Sequence, residues 1–175
     1  MTFPPPSLAA VLTELAPLLK ARKETISVVE TTTGGLISAS LLSVPGASEF
    51  YKNGMTLYTR EGRLEFGGWT DEIIQSYRGP TQEIVAGIAK HVRQSLPATY
   101  TLSESGTAGP SGGSQPNRTP GYVAFAIATE SGVVTKEIQN VGQGNDRAAN
   151  MVKFAEEGLQ FLLSVIKESE KSSRL

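Results

Sequence analysis

Glu30, Thr31, Thr32, Thr33, Gly34 and Gly35 place one carboxylate, three hydroxyls and two glycines in six consecutive residues. A hydroxyl becomes a nucleophile where a base takes its proton and donors receive the oxyanion. Just upstream, residues 25–29 (Thr-Ile-Ser-Val-Val) form the β-rich run of a buried strand. Just downstream, residues 36–42 read as a helix with Leu36, Ile37, Ser40 and Leu41 on one side. A strand-to-helix turn of this kind aims backbone N–H groups and the positive helix end at whatever binds there. Glycine lets a ligand approach such a backbone closely. The plain structural alternative is that Thr33 is only the N-cap of the helix. Composition does not choose between the two.

A second polar stretch has the same position relative to a strand. Residues 99–103 alternate as a strand and run into Glu-Ser-Gly-Thr-Ala-Gly-Pro-Ser-Gly-Gly at 104–113, four glycines in ten residues. Such a backbone can wrap a ligand, while Ala108 and Pro110 stiffen it. Residues 114–120 lengthen it into the kind of connection that compact domains usually keep for function. A third loop, 142–147, carries Arg147 into the last helix.

The elements between these loops follow from period and punctuation. Pro4, Pro5 and Pro6 make residues 1–6 an extended lead-in, and Ser7 reads as the cap of a helix from Leu8 to about Lys20. Residues 44–48 are a turn, 54–59 a second strand, and 60–65 an exposed charged helix containing Gly62. Thr70 and Thr81 cap two further helices, the second reaching about Leu96 with His91 in its last turn. Residues 121–128 are apolar throughout and read as a central strand, with 133–139 as hairpin partner. The final helix runs from about 146 to 167, before a polar tail at 169–175. This order predicts an α/β fold: three α/β/α layers and a mixed, mostly parallel sheet with one antiparallel hairpin. The whole of 1–175 reads as one domain of a size that supports a single core. Because both glycine-bearing loops leave strand C-termini, they are expected to share one crevice.

Composition excludes several classes of function. With a net charge of −1 the chain offers no general electrostatic case for nucleic acid or membrane. Without cysteine there is no disulfide, thiolate metal site or catalytic thiol, and His91 stands alone with no zinc-type spacing. No metal or cofactor is expected. The first six residues lack a secretory pattern and no apolar run reaches the length of a spanning helix, so the expected location is cytoplasmic.

At these loops the sequence resembles the C-terminal domain of the CinA (competence-damage-inducible) family, from about Leu8 to Lys167. Residues 30–35 stand where that family has Glu-Ser-Cys-Thr-Gly-Gly, and 44–48 match its Pro-Gly-Ala/Ser-Ser turn. Residues 54–59 match a Gly-(x)3-Tyr-Ser strand end. Residues 106–113 with Pro120-Gly121 match Gly-Ile-Ala-Gly-Pro-x-Gly-Gly followed by Lys-Pro-x-Gly. The resemblance implies a nicotinamide mononucleotide amidohydrolase that releases ammonia, a small-molecule nucleotide ligand and a homo-oligomer. It implies catalytic roles at Glu30, Thr31, Tyr58 and Arg63. Ligand contacts are implied at Thr32, Thr33, Gly34, Gly35, Thr59, Ser105, Gly106, Thr107, Ala108, Gly109, Gly112, Gly113 and Arg147.

The departures fall on the chemistry. Thr31 replaces the family's nucleophilic serine, and Arg63 replaces a lysine implicated as its partner. Threonine keeps the hydroxyl but adds a methyl and restricts χ1. Arginine stays charged and cannot act as a neutral base. Two readings stand: a weakened or shifted amidohydrolase, and an inactive paralogue that binds a nucleotide or related metabolite.

Overall fold

Every residue of Ile26–Glu30 is buried, so this strand has neighbours on both edges and both faces. It is β1 in a computed structural model that describes residues 2–172. Helix α1 (Pro6–Arg22) precedes it, and α2 (Leu36–Leu42), β2 (Tyr51–Thr56), α3 (Arg60–Phe66), α4 (Asp71–Ser76) and α5 (Gln82–Ser95) follow. Then come β3 (Tyr100–Thr107), β4 (Tyr122–Thr129), β5 (Gly132–Ile138) and α6 (Arg147–Ser172). The sheet order is β2-β1-β3-β4-β5. β1 pairs parallel with β2 and β3, whereas β3–β4 and β4–β5 are antiparallel. The expected three-layer mixed sheet is therefore present. Only β4 runs against the other strands, and the second antiparallel pair, β3–β4, is joined by the long connection rather than a hairpin.

The layers are built by alternation along the strands. On one face α1, α2 and α6 bury Leu8, Leu15, Leu19, Ile37, Leu41, Leu159 and Ile166 against Ile26, Val28, Leu102 and Ile127. On the other, Ile88 and Val92 of α5 meet Val29, Leu57 and Trp69. β4 divides cleanly: Val123 and Phe125 pack on Phe154 of α6, while Tyr122, Ala124, Ala126 and Ala128 face Val85 and Ala89 of α5. Three alanines in a row on one face let the helix lie close to the strand. No helix among the described residues is long and apolar enough to cross a membrane.

Several boundaries differ from the sequence reading. Helix α1 starts at Pro6 with Pro5 in the cap position, so Ser7 is not the cap and the lead-in is shorter. Proline at the first helical position lacks only an N–H that would have no partner there. β2 covers 51–56 instead of 54–59, because pairing with β1 begins at Tyr51, opposite Ile26. β3 runs on through 104–107, residues that read as loop, because they pair with Tyr122, Val123, Ala124 and Phe125. The long connection contains a 3-10 turn, Pro116–Arg118. Helix α6 continues to Ser172, so residues 169–172 of the expected tail are helical, and 173–175 lie outside the described residues.

The alanine face of β4 makes a stability prediction. Ala126 is fully buried against α5. Ala126→Leu is expected to lose about 1–3 kcal/mol by overpacking, seen as a lower urea midpoint with an unchanged slope. An unchanged midpoint would show that the helix does not lie close to this face.

Candidate functional site

With β1 between β2 and β3, the chain leaves β1 toward one side and later returns on the other, which opens a crevice at the strand C-termini. Residues 31–35 and 106–113 both lie at that end of the sheet, but of the first run only Thr32 reaches the cavity there. Two fully buried carboxylates, Glu30 at the end of β1 and Glu104 in β3, organise it.

Glu30 turns back onto the chain that follows it. Its Oε2 accepts from the N–H groups of Gly35 (2.9 Å) and Ile37 (3.0 Å) and contacts the Thr33 hydroxyl (2.7 Å). Its Oε1 accepts from the Ser38 N–H (2.8 Å) and hydroxyl (2.6 Å). Glu30 thus caps α2 from the preceding strand, meeting both the orphan N–H groups and the positive helix end. Thr33 makes no cap bond; Gly35 holds the cap position with a positive φ of 100°.

Glu104 completes the clasp from the neighbouring strand. Its Oε1 accepts from the N–H groups of Thr31 (2.7 Å) and Thr33 (2.8 Å) and lies 2.7 Å from the Thr33 hydroxyl. Its Oε2 is buried without a partner. Burial pushes the Glu104 carboxyl up, reinforced by the nearby Glu30 charge and opposed by the bonds from Thr33 and Thr31. The hydrogen-bond geometry agrees with that direction. One hydroxyl proton on Thr33 cannot serve both Glu30 and Glu104, so both contacts are hydrogen bonds only if the pair holds an extra proton. A partnerless oxygen is also far less costly to bury neutral than charged.

The three threonines then differ in what they face. Thr31 is 1% exposed, and its hydroxyl donates to Ser105 Oγ at 3.1 Å. The Thr32 hydroxyl donates to the Gly106 carbonyl (2.9 Å) and accepts from the Gly106 N–H (3.0 Å), pinning the turn to β3. A Cβ on Gly106 would stand 2.7 Å from the Tyr122 carbonyl and 2.8 Å from the Phe154 ring, so only glycine fits there. Past the strand end, Asn150 of α6 donates to the carbonyls of Ala108 (3.0 Å) and Gly144 (2.9 Å). Arg147 donates to the Gly109 carbonyl (2.9 Å) and Tyr58 Oη (3.3 Å).

A cavity of about 540 Å³ opens beside this framework. Of the residues read as candidates, its wall contains Thr32, Tyr58, Thr59, Arg63, Gly112 and Arg147, and the run 106–109. Glu30, Thr31, Thr33, Gly34, Gly35, Ser105 and Gly113 are not part of the wall. Gly34 is covered instead by Met151, whose methyl would lie 3.4 Å from a Cβ at that position. The Thr59 hydroxyl accepts from the Gly62 N–H and caps α3, and that cap brings Arg63 inward. Residues 60–65 were expected to lie exposed, yet Arg63 is 6% exposed. Its Nε donates to the Leu57 carbonyl at 3.0 Å, and its guanidinium lies 4.9 Å from the Trp69 ring centre and 5.6 Å from that of Tyr77. Arg60, Tyr77 and Arg118 also line the wall and were not among the sequence candidates. Nor was Glu104, although a carboxylate ending an otherwise buried strand was the available signal.

A larger cavity, about 1010 Å³, lies at the opposite end of the sheet. There Arg22 pairs with Glu24 at 2.8 Å and Tyr100 Oη donates to Glu24, while Arg93 Nε is buried without a hydrogen-bond partner among the described residues. None of the candidate residues faces it, so size does not select it. Among the described residues, no group of three or more His, Asp or Glu side chains is placed to hold a metal ion.

Comparison with known proteins gives consistent results. The family model described as the CinA C-terminal domain matches residues 8–166. A CinA-like protein of Pseudothermotoga lettingae is 33% identical over 149 residues, which are 85% of this chain and 36% of that protein. Another, from Chlorobaculum tepidum, is 31% identical over 87% of this chain and 36% of its own length. The chain thus spans about a third of the curated relatives it matches. Among solved structures, the competence/damage inducible protein CihA of Agrobacterium tumefaciens superposes with a TM-score of 0.84 at 22% identity. That match covers 94% of this chain and 98% of the other. A competence or damage-inducible protein of Enterobacter asburiae gives 0.82 at 24%, over 91% and 98%. At these identities the structural likeness speaks for the fold alone.

The Glu104 clasp predicts a pH dependence whose sign is fixed. The folded carboxyl sits above its ordinary value of 4.5. As pH rises past that value the unfolded chain loses a proton that the folded chain keeps, so stability falls until the raised folded pKa is passed. Glu104→Gln is neutral at all pH and removes this limb. Urea midpoints measured across pH should show the wild type losing stability relative to the variant as pH rises. A difference independent of pH would mean that folding leaves the Glu104 carboxyl unshifted, and a wild type gaining on the variant as pH rises would mean that it is lowered.

Proposed function

The chain belongs to the CinA C-terminal domain family, and from that premise we propose that its cavity binds a nicotinamide-type mononucleotide or close analogue while hydrolysing its carboxamide only slowly. The observation that carries this reading is the titration chemistry of the cavity wall. Among the described residues lining it there is no Lys, His, Asp or Glu; its ionisable groups are arginines and tyrosines. Family-type amide hydrolysis requires a hydroxyl oxygen to attack the carboxamide carbon as a base takes its proton, ammonia to leave, and water to cleave the resulting ester. Arginine cannot take the proton, and Tyr58 is 59% exposed and already accepts from Arg147. The hydroxyl at the nucleophile position, Thr31, is buried and spent on Ser105. Loss of general-base catalysis alone is worth roughly 10²–10⁴-fold.

Binding keeps its supports. The aromatic rings of Tyr58 and Tyr77, the Thr59 and Ser111 hydroxyls and four guanidinium groups remain on the wall. A planar base, a ribose and a phosphate find stacking, hydrogen-bonding and charged partners there.

The test measures ammonia release and affinity with nicotinamide mononucleotide on the same preparations. Wild type should bind the nucleotide and release little ammonia. Thr31→Ser/Arg63→Lys removes the methyl and restores an amine that can be deprotonated; it should raise the rate by roughly 10²-fold and move affinity much less. Fast wild-type turnover that persists in Thr31→Ala would overturn the reading and show hydrolysis by other groups.

A further inference from the structure

We propose that Arg63 is the anchor for an anionic group of the ligand, so that the cavity prefers the pyridine carboxylate mononucleotide to the carboxamide. The inference rests on the nucleotide reading of the same cavity and deepens it. Arg63 is a permanent cation on a side chain only 6% exposed, on a cavity wall that carries no carboxylate. Leu57 takes its Nε, and among the described residues neither terminal nitrogen has a hydrogen-bond or ion-pair partner. Both nitrogens belong to a side chain that lines the cavity. An unpaired guanidinium on a largely buried side chain is unfavourable, and elsewhere proteins relieve it with a carboxylate or phosphate. The Trp69 and Tyr77 rings offset part of that cost by cation–π attraction. They also hold the guanidinium plane fixed, so its two terminal N–H groups form a fork of set direction.

A carboxamide offers that fork one acceptor oxygen and an NH2 that repels it. A carboxylate offers two oxygens and a full negative charge, the bidentate arrangement for which guanidinium is shaped. The rest of the wall points the same way. Arg60, Arg118 and Arg147 line it with Arg63, and no acid does. A phosphate monoester carries about −1.5 to −2, which leaves positive charge over for a further anion.

Isothermal titration with nicotinate mononucleotide and nicotinamide mononucleotide tests this directly. Wild type should bind the acid at least roughly tenfold more tightly than the amide, the equivalent of about 1.4 kcal/mol. In Arg63→Gln the two affinities should converge to within about twofold, with the fold checked by urea midpoint. If Arg63→Gln does not fold, Arg63→Lys keeps the charge without the fork and should reduce the preference without abolishing it. Equal affinity of wild type for the two nucleotides would overturn this inference and leave the nucleotide reading standing. A preference that persists undiminished in a folded Arg63→Gln or Arg63→Lys would overturn the role of Arg63. Binding of neither nucleotide would overturn the nucleotide reading and this inference with it.

Discussion

Two buried carboxylates on adjacent parallel strands hold the turn after β1, and the rest of the site depends on that clasp. Glu30 takes the N–H groups at the start of α2, and Glu104 takes those of Thr31 and Thr33. With its donors occupied from below, the turn is rigid framework, and recognition passes to what stands over it. The bonds of Thr32 to Gly106 then transfer the position of this turn to the glycine loop. Burial, with the Glu30 charge close by, holds the Glu104 carboxyl above its ordinary range, which favours its neutral form in the clasp.

The packing explains why the crevice stays open and in register. Gly106 lets β3 lie close against the Tyr122 carbonyl and Phe154, where a Cβ would collide with both. Asn150 and Arg147, one turn apart on α6, tie the loop backbone at 108 and 109 to the helix that covers the other sheet face. A shift of α6 therefore moves the cavity wall, and the long helix buries enough apolar surface on Leu159, Leu162 and Ile166 to resist one.

Charge is distributed with similar economy. The chain as a whole carries a net charge of −1, yet the cavity wall gathers four arginines and no acid. Arg63 is turned inward by the Thr59 cap of α3 and held between aromatic rings; Arg147 comes from α6 and Arg118 from the turn in the long connection. Residues from three distant segments make one positive enclave, which a sum over the sequence conceals.

What the sequence by itself determined was local: the strand before Glu30, the helix after Gly35, the threonine-capped helices that start at 70 and 81, and the motifs at 30–35 and 106–113 that carry the family. These follow from period, punctuation and residue type, which act over a few neighbours. Tertiary structure decided which face each residue presents. Residues 104–107 read as loop because glycine and serine dominate, but pairing with β4 made them strand. Whether Thr33 was a cap was left open by its neighbours, and two carboxylates brought together by β1–β3 pairing took its hydroxyl instead. Arg63 read as a solvated helix charge, and only the approach of Trp69 and Tyr77 buried it. In each case the deciding contact joins residues far apart in sequence or set by a fold back of the chain, and local pattern carries no record of such a partner. Burial then changed the chemistry, because it is the exclusion of water that raises the Glu104 carboxyl and leaves the charge on Arg63 in want of an anion.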